Sequence, residues 1–147
     1  MRFKKFGKLP GKPSALIRLA LHDLALVERS KKYRVDMGSW HMPWGQFDEK
    51  CAVCFAGSVM VKTLKCPIDK FFSAGSFANE SAAFQALNHF RSGFLCGAFS
   101  LLGLRDLGGP MPKSLPDQMS VGAYETNPRL WRQQMRNVVK VLEKAGY

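Results

Sequence analysis

The sequence has no apolar run long enough to cross a membrane. Its longest, Phe94 to Leu104, has 11 residues and is interrupted by glycines and a serine, whereas a spanning helix needs about 20 residues. The N-terminus MRFKKFGKLPGK is basic but lacks the apolar stretch and cleavage site of a secretory signal. These absences predict a cytoplasmic protein without a membrane partner, whose four cysteines stay as thiols in a reducing setting.

Motifs of the common enzyme classes are missing as well. The chain has no P-loop and no GxGxxG, HExxH or GxSxG pattern. It also has no helix-turn-helix, zinc-finger or RNP signature. We therefore predict no cofactor, and we favour a binding protein over an enzyme.

Acidic residues are scarce. The 147 residues include 22 Lys and Arg but only 11 Asp and Glu, so the formal net charge is +11. Net charge concerns association rather than fold, and this excess favours a polyanionic partner, either nucleic acid or an acidic protein surface. Solubility alone is the alternative explanation.

Hydrophobic periodicity predicts a mainly α-helical, single compact domain of about five helices, with a short β element near residues 32–37. Residues 1–12 are predicted to form a flexible basic arm, and residues 13–147 the helical domain. Residues 106–127, rich in proline and glycine, predict a long ordered loop. The predicted helices span residues 14–30, 48–64 with Asp48 as the N-cap, 79–93 with Asn79 or Ser81 as the cap, 94–104 and 127–146. The run 94–104 is short and apolar enough to be a core strand instead.

Basic residues cluster at both ends of the chain. The arm carries several, and the last helix carries them at three- and four-residue spacing beside an apolar stripe. Side chains spaced in this way can contact successive phosphates, although many such helix faces are simply solvated. The residues predicted to bind nucleic acid or an acidic surface are Arg2, Lys4, Lys5, Arg129, Arg132, Arg136, Lys140 and Lys144.

The segment from Met37 to Cys66 contains three of the four cysteines. Cys51, Cys54 and Cys66 could supply ligands to a tetrahedral zinc ion. The run CAVCFAG, however, has the composition of an apolar helix, in which cysteine usually packs as a small hydrophobic residue. We therefore predict no metal site, with zinc as the alternative.

A second chemical alternative pairs Cys51 with His41. In the first turn of a helix the thiol pKa of Cys51 would fall, and His41 on the preceding loop could act as its base. Asp48 and Glu49 oppose this, because negative charge beside a thiol disfavours its ionisation. We therefore predict no catalytic residue, with His41 and Cys51 as the alternative.

The same segment also has a purely structural explanation. Small residues between 52 and 58 would let the second helix pack closely against small residues between 93 and 100 on the fourth. Trp40, Trp44 and Phe47 would then cover that core. Alternatively, these three aromatic residues anchor a protein partner, since aromatic side chains in a charged surround are typical of binding hot spots.

Three stretches, KPSALIRLALHDLALVE, YRVDMGSWH and CAVCFAGSVM, are similar to small uncharacterised proteins encoded by bacteriophages and prophages. The resemblance covers about the first half of the chain and assigns a catalytic role to no residue. It implies an accessory phage function in the host cytoplasm: blocking a host defence system or enzyme, or assisting phage nucleic-acid metabolism.

These observations favour a small, basic, non-enzymatic binding protein. Its predicted partner is nucleic acid or a protein that processes nucleic acid. The first alternative is a phage-type inhibitor that binds a host defence protein or enzyme, and the second is a small Cys/His enzyme. The oligomeric state is left open.

Overall fold

The computed structural model describes residues 9–43, 50–104 and 115–147. These residues contain five α-helices and a small three-stranded sheet, which confirms the predicted mainly α-helical fold. The helices are α1 (Pro13–Arg29), α2 (Phe55–Lys62), α3 (Ser81–Arg91), α4 (Leu95–Leu101) and α5 (Pro128–Lys144). The strands are β1 (Tyr33–Val35), β2 (His41–Met42) and β3 (Cys51–Val53), and a single 3-10 turn spans Ala74–Ser76.

The two longest helices lie where the sequence predicts them. Each begins with a proline, whose fixed φ suits the first helical position. The Asn127 side chain accepts a hydrogen bond of 3.0 Å from the backbone N–H of Leu130, as an N-cap does. Gly146 follows α5 with a φ of +88°, the left-handed conformation that commonly ends a helix.

The second helix begins later than predicted. Cys51–Val53 form β3, which pairs parallel with β1 on one edge and antiparallel with β2 on the other. All three β3 side chains are buried, so this apolar run is a central strand rather than the start of a helix. Helix α2 begins only at Phe55, with Cys54 as its N-cap. The prediction that Cys51 lies in the first turn of this helix was therefore wrong, and its predicted N-cap, Asp48, lies outside the described residues.

The predicted packing of the second helix against the fourth was also wrong. Helix α2 packs mainly on α1 and α3, whereas α4 packs on α3. The small residue Gly57 faces backbone instead, because a Cβ at this position would lie 1.7 Å from the carbonyl oxygen of Trp40. Gly97 makes room for the Phe94 ring, 2.4 Å from where its Cβ would be. These glycines therefore admit a loop and a ring rather than another helix.

Helices α1 and α5 pack side by side and run antiparallel. Arg18 near the start of α1 bonds Glu143 near the end of α5 at 2.8 Å. At the other end of the pair, Arg132 forms an ion pair with Glu28. On the core side of α5, the Trp131 ring packs edge-on against the Phe55 ring of α2, with centroids 5.3 Å apart.

The predicted basic arm lies mostly outside the described residues. At its described end, Leu9 belongs to the core and is only 5% exposed, so the compact body extends N-terminal to Pro13. The described part of the predicted loop is ordered against α3 and α4, since the N–H of Met119 donates to the carbonyl of Gly93 at 2.8 Å. In the described residues, no helix is both long and apolar enough to cross a membrane.

Replacing Gly57 by alanine tests the close approach to Trp40. The added Cβ would meet a backbone carbonyl at 1.7 Å, so β2 or α2 must shift, and we expect a loss of about 2 kcal/mol or more in the free energy of unfolding. Denaturant unfolding measures this loss. The matched control is Gly11→Ala, because a Cβ at Gly11 has no atom within 4 Å. Equal stability of the two variants would contradict the assignment.

Candidate functional site

The structure brings His41 and Cys51 together. Antiparallel pairing of β2 with β3 aligns His41 with Val53, two residues beyond Cys51 and on the same side of the strand. As a result, His41 Nε2 lies 3.5 Å from Cys51 Sγ, within hydrogen-bonding reach for sulfur. The ring of Phe72 stands edge-on to the imidazole, with centroids 5.3 Å apart. The pair of the Cys/His alternative therefore forms, although from two strands rather than from a loop and a helix.

Both members of this pair are uncharged at neutral pH. His41 and Cys51 have no exposed surface. Burial lowers the pKa of His41, against a smaller opposing effect from the carbonyl groups of His41 and Lys70. Burial also raises the pKa of Cys51 to about 11, and the positive charge of Arg34 only partly opposes it. A buried, protonated thiol is not a reactive nucleophile, so the geometry favours a structural contact over catalysis.

The other two cysteines of the zinc alternative differ from each other in their surroundings. The Cys54 sulfur accepts a hydrogen bond from the Gly57 N–H at 3.3 Å and so caps α2. Cys66 is buried after α2, and burial together with nearby Cys51 raises its pKa to about 12. Among residues 9–43, 50–104 and 115–147, no three His, Cys, Asp or Glu side chains are arranged to hold a metal ion.

Of the predicted aromatic anchors, only Trp40 lies in the described residues. It is half-buried and packs against the core. Sequence reasoning did not single out Met42 and Phe71, two neighbouring apolar residues that are 46% and 61% exposed. They lie side by side, because the bridge between His41 and Phe72 places the residues next to them opposite each other. Their juxtaposition depends on this tertiary pairing, which no sequence signal indicates.

The basic residues of α5 separate into two groups. Arg132 is half-buried and bonded to Glu28, and this hydrogen bond raises the pKa of Arg132 further. The remaining four basic residues predicted on this helix are exposed along one stripe: Arg129, Arg136, Lys140 and Lys144. Arg2, Lys4 and Lys5 of the predicted site lie outside the described residues.

A second basic stripe, on α1, was missed from the sequence. Arg18, His22 and Arg29 are exposed and share one helix face. Because α1 and α5 run side by side, the two stripes flank a groove of about 240 Å³, lined by Arg18, Leu21, Arg136, Val139 and Lys140. The signal was present in the four- and seven-residue spacing of the α1 residues. Only the packing of the two helices makes the stripes one surface, which we call the α1/α5 basic face.

Comparisons of the chain with family models, curated proteins and solved structures find no match. The resemblance to phage-encoded proteins therefore stays a prediction.

The state of the thiols can be checked by alkylation of the folded protein near neutral pH. We expect Cys96, the only half-buried cysteine of the four, to react first, because Cys51, Cys54 and Cys66 are buried. Mass spectrometry of the peptides over time, with and without denaturant, measures the order. Fast labelling of Cys51 in the folded protein would instead support an accessible, ionised nucleophile.

The raised pKa of Cys51 also predicts an alkaline loss of stability. The folded protein keeps the Cys51 proton up to about pH 11, whereas the thiol has an ordinary pKa of 9.0. Between these values the free energy of unfolding falls as the pH rises, by up to about 1.4 kcal/mol per pH unit for one thiol. Denaturant unfolding at a series of pH values should show a shallower alkaline decline for Cys51→Ala than for the control Cys96→Ala. Identical declines would contradict this.

Proposed function

We propose that this protein binds nucleic acid through the α1/α5 basic face. The observation that supports the proposal is the uncompensated charge on this face. Its two carboxylates, Glu28 and Glu143, are each bonded to one arginine across the helix pair. In the described residues, the other five cations of the two helices have no carboxylate within 4 Å: Arg29, Arg129, Arg136, Lys140 and Lys144.

The spacing of these cations suits a regularly charged polymer. Arg136, Lys140 and Lys144 follow one another at four-residue intervals, so they rise by about 6 Å from one to the next along the helix. From Arg129 to Lys144 the row is about 22 Å long. A nucleic-acid backbone presents phosphates in continuous succession along such a length. The two helices hold the row in place, since two ion pairs join them.

The two alternative functions have less support. An inhibitor anchored by aromatic residues would need them at the surface, whereas the one predicted anchor in the described residues, Trp40, packs against the core. An enzyme acting through Cys51 and His41 would need a thiolate and access for a substrate, and both side chains are fully buried. With the phage resemblance, nucleic-acid binding suggests an accessory role in phage nucleic-acid metabolism.

Charge reversal on the basic face tests this function. We expect the affinity for an oligonucleotide to fall steeply with salt, because binding releases condensed counterions. Arg136→Glu combined with Lys140→Glu should weaken binding and reduce the slope of log affinity against log salt by about 2, one for each phosphate that the variant no longer neutralises. Fluorescence anisotropy over a range of salt concentrations measures both quantities.

The control for charge is Lys65→Glu. Lys65 is exposed and follows α2. Helix α2 contacts a side of α1 other than the basic face, where the Thr63 hydroxyl donates a hydrogen bond to Asp23. This variant should keep the slope of the unmodified protein. If binding is absent or insensitive to salt, the α1/α5 basic face is not a nucleic-acid site. The same conclusion follows if Lys65→Glu lowers the slope by as much as each substitution on the basic face.

A further inference from the structure

A pocket of about 290 Å³ opens beside the start of α5. It lies where the end of α3, the turn before α5 and α5 itself meet, and its walls include Arg91, Ser92, Ala123, Tyr124 and Trp131. The volume is at the small end of the range for ligand pockets. It could hold one small planar group with a charged substituent, but not a longer segment.

Arg91 provides a positive charge at this pocket. Its Nη1 donates to the Met37 carbonyl at 2.9 Å, while its Nε is buried and has no hydrogen-bond partner. In the described part of the chain, no carboxylate lies within 4 Å of this half-buried guanidinium. Withdrawing a charge from water without a counterion costs free energy. An anionic group in the pocket would offset that cost.

Tyr124 provides a fixed aromatic ring. It meets Trp131 edge-on at 5.4 Å between centroids, and its hydroxyl donates to Glu28 Oε1 at 3.1 Å. Burial and the charge of Glu28 raise the pKa of Tyr124 to about 12, so the ring carries no charge that would repel an anion at neutral pH. Glu125 also lines the pocket and is exposed to solvent.

The pocket adjoins the α1/α5 basic face. Glu28 accepts hydrogen bonds from both Tyr124 and Arg132, so one carboxylate links the pocket wall to the helix that carries the row of cations. A nucleic-acid strand that follows Arg129 and Arg136 would pass the side of α5 that the Glu28 carboxylate links to the pocket. The charge and the ring of the pocket therefore continue the proposed binding surface.

We propose that this pocket receives one unstacked nucleotide of a single strand, with its phosphate at Arg91 and its base against Tyr124. The inference rests on the proposed function and names its substrate class. Unpairing and extruding one base of a duplex costs free energy, whereas the bases of a single strand are already unpaired. Stacking on an aromatic ring is a common way of holding single strands. The protein therefore binds single-stranded nucleic acid more tightly than duplex.

Two variants test the pocket while keeping the hydrogen bonds of Arg91 and Tyr124. Ser92→Glu places a negative charge at the wall, and Ala123→Leu fills the space. Their controls are Ser120→Glu and Ala82→Leu, which make the same changes at exposed positions that do not line the pocket. Fluorescence anisotropy at one salt concentration measures the affinity of each protein for a single strand and for a duplex of equal length, and thermal unfolding verifies that each variant is folded.

We expect the unmodified protein and both controls to prefer the single strand by about tenfold. Both pocket variants should lose this preference while still binding the duplex. Equal binding of the two forms, or an unchanged preference in the pocket variants, would overturn the inference and leave the proposed function standing. Binding of neither form would overturn both. If a nucleoside monophosphate bound as tightly as the single strand, the ligand of the pocket would be a free nucleotide, and the inference would be overturned.

Discussion

The fold depends on β3, a three-residue strand that is buried completely and paired on both edges. Its backbone groups have no access to water, so each N–H and C=O requires a partner within the protein. Strand β1 supplies partners on one side, and the Asp36 N–H extends that ladder by donating to the Val53 carbonyl at 2.8 Å. Strand β2 supplies them on the other side. These pairings set Tyr33 opposite Cys51 and bring His41 within 3.5 Å of the Cys51 sulfur.

One consequence is that the most reactive residue types in the chain are placed where they are least reactive. Pairing of β2 with β3 sets His41 against Cys51, in the manner of a base beside a nucleophile. The same pairing buries both side chains, which favours the neutral form of each. Gly57 belongs to this arrangement as well, since only a residue without a side chain lets the Trp40 carbonyl reach α2. Close packing thus explains a set of residues that resembles an active site in the sequence.

The charged surface has a different origin. Helices α1 and α5 bury their apolar stripes in one core, so their polar stripes are left side by side facing outward. Two ion pairs across the helix pair use the two carboxylates of that surface and set the helices in register. Among the residues that the structure describes, the remaining cations of the two helices have no carboxylate partner, and neither does Arg91 in the neighbouring pocket. The excess of positive charge is spread through the sequence, and only this packing gathers it on one face of the protein.

The sequence alone determined the features that arise from local periodicity and local capping. The helices α1 and α5, the positions of their first prolines, the Asn127 cap and the exposed basic stripe on α5 were all evident, because each depends on residues within a few turns of one another. The short strand near residues 32–37 was evident for the same reason. Only the tertiary structure decided that Cys51–Val53 form a strand rather than a helix, since a short apolar run is compatible with either until its pairing partners are known. It also decided that His41 contacts Cys51, that Arg132 is engaged by Glu28, and that α1 contributes to the basic face. Each of these joins residues that are distant in the chain, and their contacts depend on how the elements pack rather than on the spacing of residues within one element.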